Sequence, residues 1–269
     1  MSLSSRFLGS NKVILDDKDA SRRFTELADN KEAMKVKLAE LATQIAEFQN
    51  ILFAQRKHRV LIILQGMDTS GKDGTVKGVF AATNPAGIRS VSFKAPTSEE
   101  LAHDFLWRVH QKIPASGELV IFNRSHYEDV LITKVHAWID AKELERRYAH
   151  IRAFEQMLTE TGTTILKFFL HISKDEQKTR LEERISDPSK HWKFSPQDLI
   201  ERASWPAYQE AYQDAINATH TESSPWHIIP ADSKSQRNLI VASIVAEKLA
   251  SLDLTYPPPN PSYFQLKVE

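Results

Sequence analysis

An apolar, β-branched run, Val60-Leu61-Ile62-Ile63-Leu64, leads directly into Gln65-Gly66-Met67-Asp68-Thr69-Ser70-Gly71-Lys72-Asp73-Gly74-Thr75. Strand, glycine-rich turn with G-x-x-x-x-G-K spacing, then a helix-compatible segment is the order a phosphate-binding loop requires. Gly66 and Gly71 let the backbone close on a ligand without Cβ clashes, and the first amides of the following helix point at anionic oxygens. Lys72 adds a positive charge, while Met67, Thr69, Ser70, Gly74 and Thr75 complete the cradle. Position 73, where a hydroxyl residue ordinarily meets a metal ion, is an aspartate, and a second carboxylate, Asp68, lies inside the loop. Two carboxylates beside a phosphate nest repel the ligand unless a divalent cation sits between them or one acts as a base. Asp73 has a second explanation, complementing the helix dipole from the first turn.

Apolar strands alternate with capped helices along the rest of the chain. Asp29 and Glu32 form a capping box before a helix whose Met34, Leu38, Leu41, Ile45, Phe48 and Leu52 recur at heptad spacing. Fewer than three heptads favours packing on the helix's own domain, with a dimer contact as the alternative. A helix over 72–82 ends at Thr83-Asn84-Pro85, and Val91-Ser92-Phe93 is a second strand. Thr97 and Glu100 cap a helix reaching about Lys112, and Leu119 to Phe122 is a third strand. Asp140 and Glu143 cap a helix closed by Gly162; Ile165 to Leu170 is a fourth strand, and Ser173 and Glu176 cap its successor. Ser195-Pro196 starts a further helix, kinked early at Pro206; Trp226 to Ile229 is a fifth strand, and Ser233 opens the last helix.

This alternation predicts an α/β fold, a five-stranded parallel sheet covered on both faces. Right-handed crossovers gather 68–75, 94–97, 123–129 and 171–175 along one sheet edge. We divide the chain into a partly ordered lead-in over 1–28, one domain over 29–254, and a proline-marked tail over 255–269. Two helices with a basic tip at about 174–205, carrying Lys178, Arg180, Arg184, Lys190, Lys193 and Arg202, read as a mobile lid or as a solvated hairpin. In the lid reading Arg184 approaches the transferring group late. Trp192 and Trp205 either stack on a base or pack within the lid. His126, His171 and His191 have no metal-ligand spacing and read as structural.

Asn123 stands where a phosphate-loop enzyme carries its second acidic group, increasing the demand on Asp68, Asp73, Glu128 and Asp129. Arg124 either grips two phosphate oxygens or pairs with Glu128 or Asp129. Lys+Arg 35 against Asp+Glu 35 leaves no net charge, so a polyanionic ligand is held by a local patch and nucleic-acid binding is disfavoured. The chain has no cysteine, which excludes disulfides, thiolate metal sites and a cysteine nucleophile. The amino terminus lacks an apolar signal segment and no run has bilayer length, so we expect a cytoplasmic protein with no membrane partner.

Over roughly residues 30–252 the chain resembles the polyphosphate kinase 2 family. The resemblance rests on 66–75, on Phe93-Lys94-Ala95-Pro96-Thr97, on Ile121-Phe122-Asn123-Arg124-Ser125-His126-Tyr127-Glu128-Asp129, and on 187–196. It implies a three-layer α/β/α P-loop kinase core with a helical lid, assembled as a homodimer or homotetramer. The implied reaction is Mg²⁺-dependent transfer of the terminal phosphoryl group of inorganic polyphosphate to ADP or AMP, with guanine nucleotides as further candidate acceptors. On this resemblance Asp68, Lys72, Arg124 and Arg184 are catalytic, and Asp68 and Glu128 are metal ligands. Lys94, Lys190, Lys193 and Arg202 would line a polyphosphate channel. The alternative is an ATP-dependent nucleoside or nucleotide kinase, because Arg124-Ser125 after a strand is similar to the phosphate-gripping turn of deoxynucleoside kinases.

Overall fold

The computed structural model describes residues 3–10, 12–28 and 30–268. Its centre is β1 (Arg59–Gln65), buried from Val60 onward because no residue of the run except its last, Gln65, is polar. Parallel partners flank it on both sides, β3 (Leu119–Asn123) and β4 (Thr163–His171), while β2 (Ile88–Ser92) lies outside β3 and β5 (Trp226–Pro230) outside β4. Leu64 pairs with Asn123 and with Phe168, and Ser92 also pairs with Asn123, so β1, β2 and β3 end almost level. From β1 the chain crosses outward over β3, and from β3 it crosses back over β1. The loops leaving these neighbours diverge, which opens a crevice between them at the carboxyl edge.

Helices cover both faces. On one side α3 (Lys31–Gln55), α4 (Lys72–Phe80) and α12 (Lys234–Ala250) pack together; on the other lie α7 (Glu128–Val135), α8 (Ala141–Glu160) and α11 (Trp205–Thr219). The heptad seam of α3 faces its own domain: Ile45 and Leu52 are buried, with Met34, Leu38, Leu41 and Phe48 packed at the margin of the same core. Asn30 caps this helix by accepting from the Ala33 amide, whereas Asp29, the expected cap, lies outside the described residues. Between β4 and α11 stand α9 (Lys174–Ser186), a 3₁₀ turn over Pro188–Lys193, and α10 (Pro196–Ala203). Among the described residues no helix is long and apolar enough to cross a membrane.

Several elements differ from the sequence expectation. The amino-terminal segment is packed, with α1 (Leu3–Arg6), α2 (Asp17–Ala20) and buried Phe7, Phe24 and Leu27 in the main core. Leu8 bridges His227 of β5, the Ile228 amide donates to Phe7 O (2.8 Å) and the Gly9 amide to Trp226 O (2.7 Å). The helix expected over 98–112 divides into α5 (Ser98–Leu101) and α6 (Trp107–His110), because Asp104 Oδ1 accepts the Leu106 amide (2.9 Å) and diverts the backbone. Pro206 marks a break, α10 ending at Ala203 and α11 starting at Trp205, since proline supplies no amide for a continuing ladder. α7 has no side-chain cap at Tyr127, so no local signal in the sequence marks its start. From Thr255 the described tail is exposed.

Inside β4 sits a lysine with no solvent exposure. Lys167 Nζ donates to Glu155 Oε2 (2.6 Å), Tyr127 Oη (3.0 Å) and Thr219 O (2.9 Å), and Glu155 Oε1 also accepts from Tyr127 Oη (2.7 Å). Burial opposes the charge on Glu155, yet Lys167 and His126 hold its pKa down to about 2. This buried pair ties the loop after β3 to β4, α8 and α11. Removing one partner strands the other charge: Lys167→Met is expected to cost about 3–5 kcal/mol. Adding Glu155→Leu should recover at least half of that loss, read from urea denaturation midpoints of the single and double variants.

Candidate active site

The turn after β1 is shaped by backbone as much as by side chains. Gly66 (φ 150°) runs so close to β4 that a Cβ there would lie 2.6 Å from Leu170 O, and Thr69 and Gly71 take φ of 63° and 102°. Gly71 opens α4 with no side-chain cap, so the first helical amides stay free. The carbonyls of the turn are held from behind. Arg180 of α9 donates to Thr69 O (2.9 Å) and Ser70 O (3.3 Å), and Arg237 of α12 to Ser70 O (3.0 Å). Arg180 also reaches Ala231 O and Asp232 O (both 2.8 Å), and Gln177 Nε2 holds Asp68 O (3.0 Å). Burial, followed by the repulsion of Arg180, brings the Arg237 pKa down to about 9. Lys72 folds inward onto Gly66 O (2.7 Å) and Met67 O (3.2 Å); burial and then Arg124 lower its pKa to about 8.

Arg124 stands at the end of β3 in a left-handed conformation (φ 62°), its amide bonded to Leu64 O (3.1 Å). Its Nη2 meets Asp68 Oδ1 (2.5 Å) and its Nη1 meets Glu128 Oε2 (3.4 Å). Glu128, then Asp68, push its pKa upward, while burial raises that of Glu128 against Arg124 and Lys72. Of the two salt-bridge partners considered, Glu128 is used; Asp129 turns to Arg108 (3.3 Å). Asn123 Nδ2 donates to Asp73 Oδ1 (2.5 Å), which spends the amide on the first turn of α4.

These residues line a cleft of about 1000 Å³ at the carboxyl edge of β1 and β3. Asp68, Thr69, Gly71, Lys72, Asp73 and Gly74 form its floor, with Asn123, Arg124 and Glu128 beside them and Lys94 on the flank. Gly66, Met67, Ser70 and Thr75 lie behind this wall: Met67 belongs to the core, Ser70 is buried, and Thr75 Oγ1 donates to Asn238 Oδ1 (3.2 Å). The 171–175 turn, expected at the edge, faces elsewhere. His171 Nε2 donates to Asp16 O (2.8 Å) and Ser173 binds Asp232. His126 is buried against Glu155 (3.3 Å) and His191 Nε2 donates to Ile185 O (2.7 Å), both structural contacts.

The α9–α10 hairpin forms the opposite side. Arg184 Nη1 donates to Lys193 O (3.0 Å) and pairs with Asp198 Oδ2 (3.5 Å); burial and then Asp68 raise the Asp198 pKa. Lys190 pairs with Asp187 (3.0 Å), and Lys193 Nζ sits over the Trp192 ring (4.8 Å). Arg202 does not line the cleft. It donates to Lys174 O (2.7 Å) and Gln177 Oε1 (2.8 Å), bracing the residue that holds Asp68 O. Trp205 is 5% exposed and packs, whereas Trp192 is 79% exposed. Sequence reasoning missed Arg237, Asp198, Lys234 and Trp138, all on the cleft wall. None belongs to a recognisable motif, and only the fold brings them to the loop.

The chain matches the model of the polyphosphate kinase 2 family over residues 28–256. It is 51% identical over 239 residues to the AMP/ADP-polyphosphate phosphotransferase of Meiothermus ruber, covering 89% of this chain and 90% of that one. With the ADP-polyphosphate phosphotransferase of Rhodopseudomonas palustris it shares 42% identity over 246 residues, 87% of this chain and 85% of the relative. The crystal structure of polyphosphate kinase 2 from Arthrobacter aurescens TC1 superposes with a TM-score of 0.92 at 44% identity, covering 98% and 95% of the two chains. A cradle built on β1, an arginine fixed at the end of β3 and the α9–α10 hairpin across the cleft from them thus accompany sequence likeness along nearly the whole length, and the chain belongs to the polyphosphate kinase 2 family.

Proposed function

We propose that this chain transfers the terminal phosphoryl group of inorganic polyphosphate to AMP or ADP, using magnesium. The observation that carries the reading is Arg124, held between Asp68 and Glu128 beside Lys72 at the mouth of the loop. A fixed guanidinium and a row of free amides suit an anionic group that gains charge on its equatorial oxygens during transfer. Thr69 Oγ1, buried without a protein partner among the described residues, is available to a phosphate oxygen. The names of the relatives supply the substrate class: polyphosphate with AMP or ADP.

The donor set fits magnesium, which takes one or two carboxylates and completes its shell with phosphate oxygens and water. Asp68 and Asp73 both face the cleft with oxygen donors, and Asp68 would hold the ion. Glu128, which lines the same cleft and pairs with Arg124 as Asp68 does, is the second carboxylate of the set, and a bound cation would offset the burial that disfavours its charge. When bound, the metal offsets negative charge on the phosphates. The chain's own groups do the rest: the loop amides and Lys72 bind the donor, Arg124 orients the transferring group, and Arg184 reaches it from the lid. An acceptor phosphate is already ionised, so in-line attack needs no strong base. Lys94, Lys190 and Lys193 extend the cationic wall along the polymer.

The reading is tested by incubating the protein with AMP, ADP, GMP or GDP and polyphosphate as sole donor. ADP and ATP should form, and the apparent KM for polyphosphate should rise steeply with salt as counterions compete. Product formation with ATP but not with polyphosphate would instead favour the nucleoside or nucleotide kinase alternative. Asp68→Asn is expected to remove most turnover with unchanged thermal unfolding. Arg184→Ala should lower kcat by about 10² or more if the lid arginine stabilises the transition state; a change confined to KM would make it a binding group only.

Lys72 gives a pH signature. Its pKa is depressed to about 8 in the free protein, and a bound phosphate stabilises the protonated form, raising it. Between the two values the complex holds more protons than the free protein, so binding takes up protons; at lower pH Lys72 is charged in both states and no uptake occurs. Calorimetry of polyphosphate binding in buffers of different ionisation enthalpy should therefore show uptake at about pH 9 that is absent at about pH 7 and abolished by Lys72→Met.

A further inference from the structure

We propose that Arg202 is a positioning residue for phosphoryl transfer: through the side-chain amide of Gln177 it fixes the peptide of Asp68, without touching a phosphate itself. This rests on the reading above of Asp68 as the loop carboxylate that holds the metal ion. Four contacts run in series from α10 to the start of α7. Arg202 Nη1 donates to Gln177 Oε1 (2.8 Å), and Gln177 Nε2 donates to Asp68 O (3.0 Å). Asp68 Oδ1 then meets Arg124 Nη2 (2.5 Å), and Arg124 Nη1 meets Glu128 Oε2 (3.4 Å). Arg202 and Gln177 lie outside the cleft wall, whereas Asp68, Arg124 and Glu128 line it.

The chemistry of the two ends dictates the direction of the middle. A guanidinium only donates and a peptide carbonyl only accepts, so Gln177 must present its oxygen to Arg202 and its nitrogen to Asp68. Gln177 is 1% exposed, which leaves its amide to protein partners rather than solvent. With Arg202 removed the amide is free to turn over, and the reversed form would set its oxygen against the Asp68 carbonyl. Holding that carbonyl also aims the Thr69 amide, because the two groups of one peptide point in opposite directions. Arg202 is anchored in turn by Lys174 O (2.7 Å) and lies over the Trp205 ring (5.9 Å). The attachment of α10 makes this link consequential. Its Leu199 and Ile200 are exposed, while Asp198, Glu201 and Arg202 turn toward the body. Asp198 meets Arg184 (3.5 Å), and Glu201 meets His136 (2.9 Å) and Tyr208 Oη (2.7 Å). Polar contacts instead of apolar burial fasten this helix, and its placement reaches the loop as hydrogen-bond direction.

Steady-state kinetics of the full-length chain with AMP and polyphosphate, read beside hydrogen–deuterium exchange of the 66–75 loop, test this relay. Arg202→Ala should lower kcat about tenfold, the scale of one lost hydrogen bond to a charged group, while the KM for polyphosphate and its salt dependence keep their wild-type values. Arg202→Lys, still a donor only, should recover most of the loss. Gln177→Glu separates relay from simple fastening: its carboxylate tightens the tie to Arg202 but turns an oxygen on the Asp68 carbonyl. In that variant kcat should fall about tenfold with no drop in thermal midpoint, and adding Arg202→Ala should lower it no further. Loop exchange should quicken in Arg202→Ala and Gln177→Glu and stay slow in Arg202→Lys. The proposal is overturned if Arg202→Ala raises the KM for polyphosphate at unchanged kcat, if Gln177→Glu keeps full kcat, or if the two losses multiply. The exchange measurement needs no substrate, which keeps the two readings apart. A wild type that makes no ADP from polyphosphate sinks the polyphosphate reading, while quickened loop exchange in Arg202→Ala still upholds the relay. Wild-type turnover with kcat and loop exchange untouched by Arg202→Ala sinks the relay alone.

Discussion

Everything at the cleft depends on where the carbonyls of the β1 turn point. A peptide group carries its N–H and C=O in opposite directions, so fixing one fixes the other. Arg180 and Arg237 capture the carbonyls of Thr69 and Ser70 from behind, and Gln177 captures that of Asp68. The amides of Thr69 and Gly71 are thereby set before any anion arrives, that of Ser70 being spent on Met67 O (3.1 Å), the kind of preorganisation that avoids reorganising dipoles during a reaction. Two near-buried guanidiniums side by side are an unfavourable arrangement: burial first, and then Arg180, depress the pKa of Arg237. The carbonyls that both groups bind offset that repulsion, and a Cβ at Gly71 would lie 2.0 Å from the Arg237 guanidinium.

The sheet supplies position and the helices supply charge. β1 and β3 lie side by side and end level, which brings Lys72 and Asp68 against Arg124 although more than fifty residues separate them in the chain. The Lys167–Glu155 pair then secures the segment after Arg124 from beneath, through Tyr127 and His126. Above, α9 contributes twice: Arg180 and Gln177 at its base hold the loop, and Arg184 one turn further faces the cleft. One helix therefore links the cradle to its cover.

Much of this was legible in the sequence. Apolar stretches mark β1, β3, β4 and β5, whereas β2 (Ile88–Ser92) shares only Val91 and Ser92 with the run expected to form it, because an edge strand needs few apolar residues; Thr97, Asp140, Ser173, Ser195 and Ser233 each cap a helix through a side-chain oxygen, as their spacing predicts. Both readings of Arg124 had a physical basis, and its pairing with Glu128 coexists with its place on the cleft. What the sequence does not carry depends on tertiary neighbours. Arg180 looked like one more lid charge, because nothing local marks it as a partner of loop carbonyls. Arg237, Asp198 and Trp138 sit in helices or turns without motifs, and Phe7, Phe24 and Leu27 are too widely spaced to register as a pattern. Asp104 and Pro206 break helices through a short side-chain contact and a missing amide, effects that act over a few residues only and leave the surrounding periodicity helical.

The amino-terminal strip beside β5 has a consequence for the molecule in company. A terminal strand offers an open ladder of donors and acceptors on which a stranger's extended segment can settle, the first step toward fibrous aggregates. Here residues 7–9 occupy part of that ladder themselves, through Phe7, Leu8 and Gly9. At the opposite margin β2 is five residues long and half-exposed, with Arg89 engaged by Glu118 (2.9 Å). Guarded on one border and truncated on the other, the sheet discourages growth by recruiting strands from crowded neighbours.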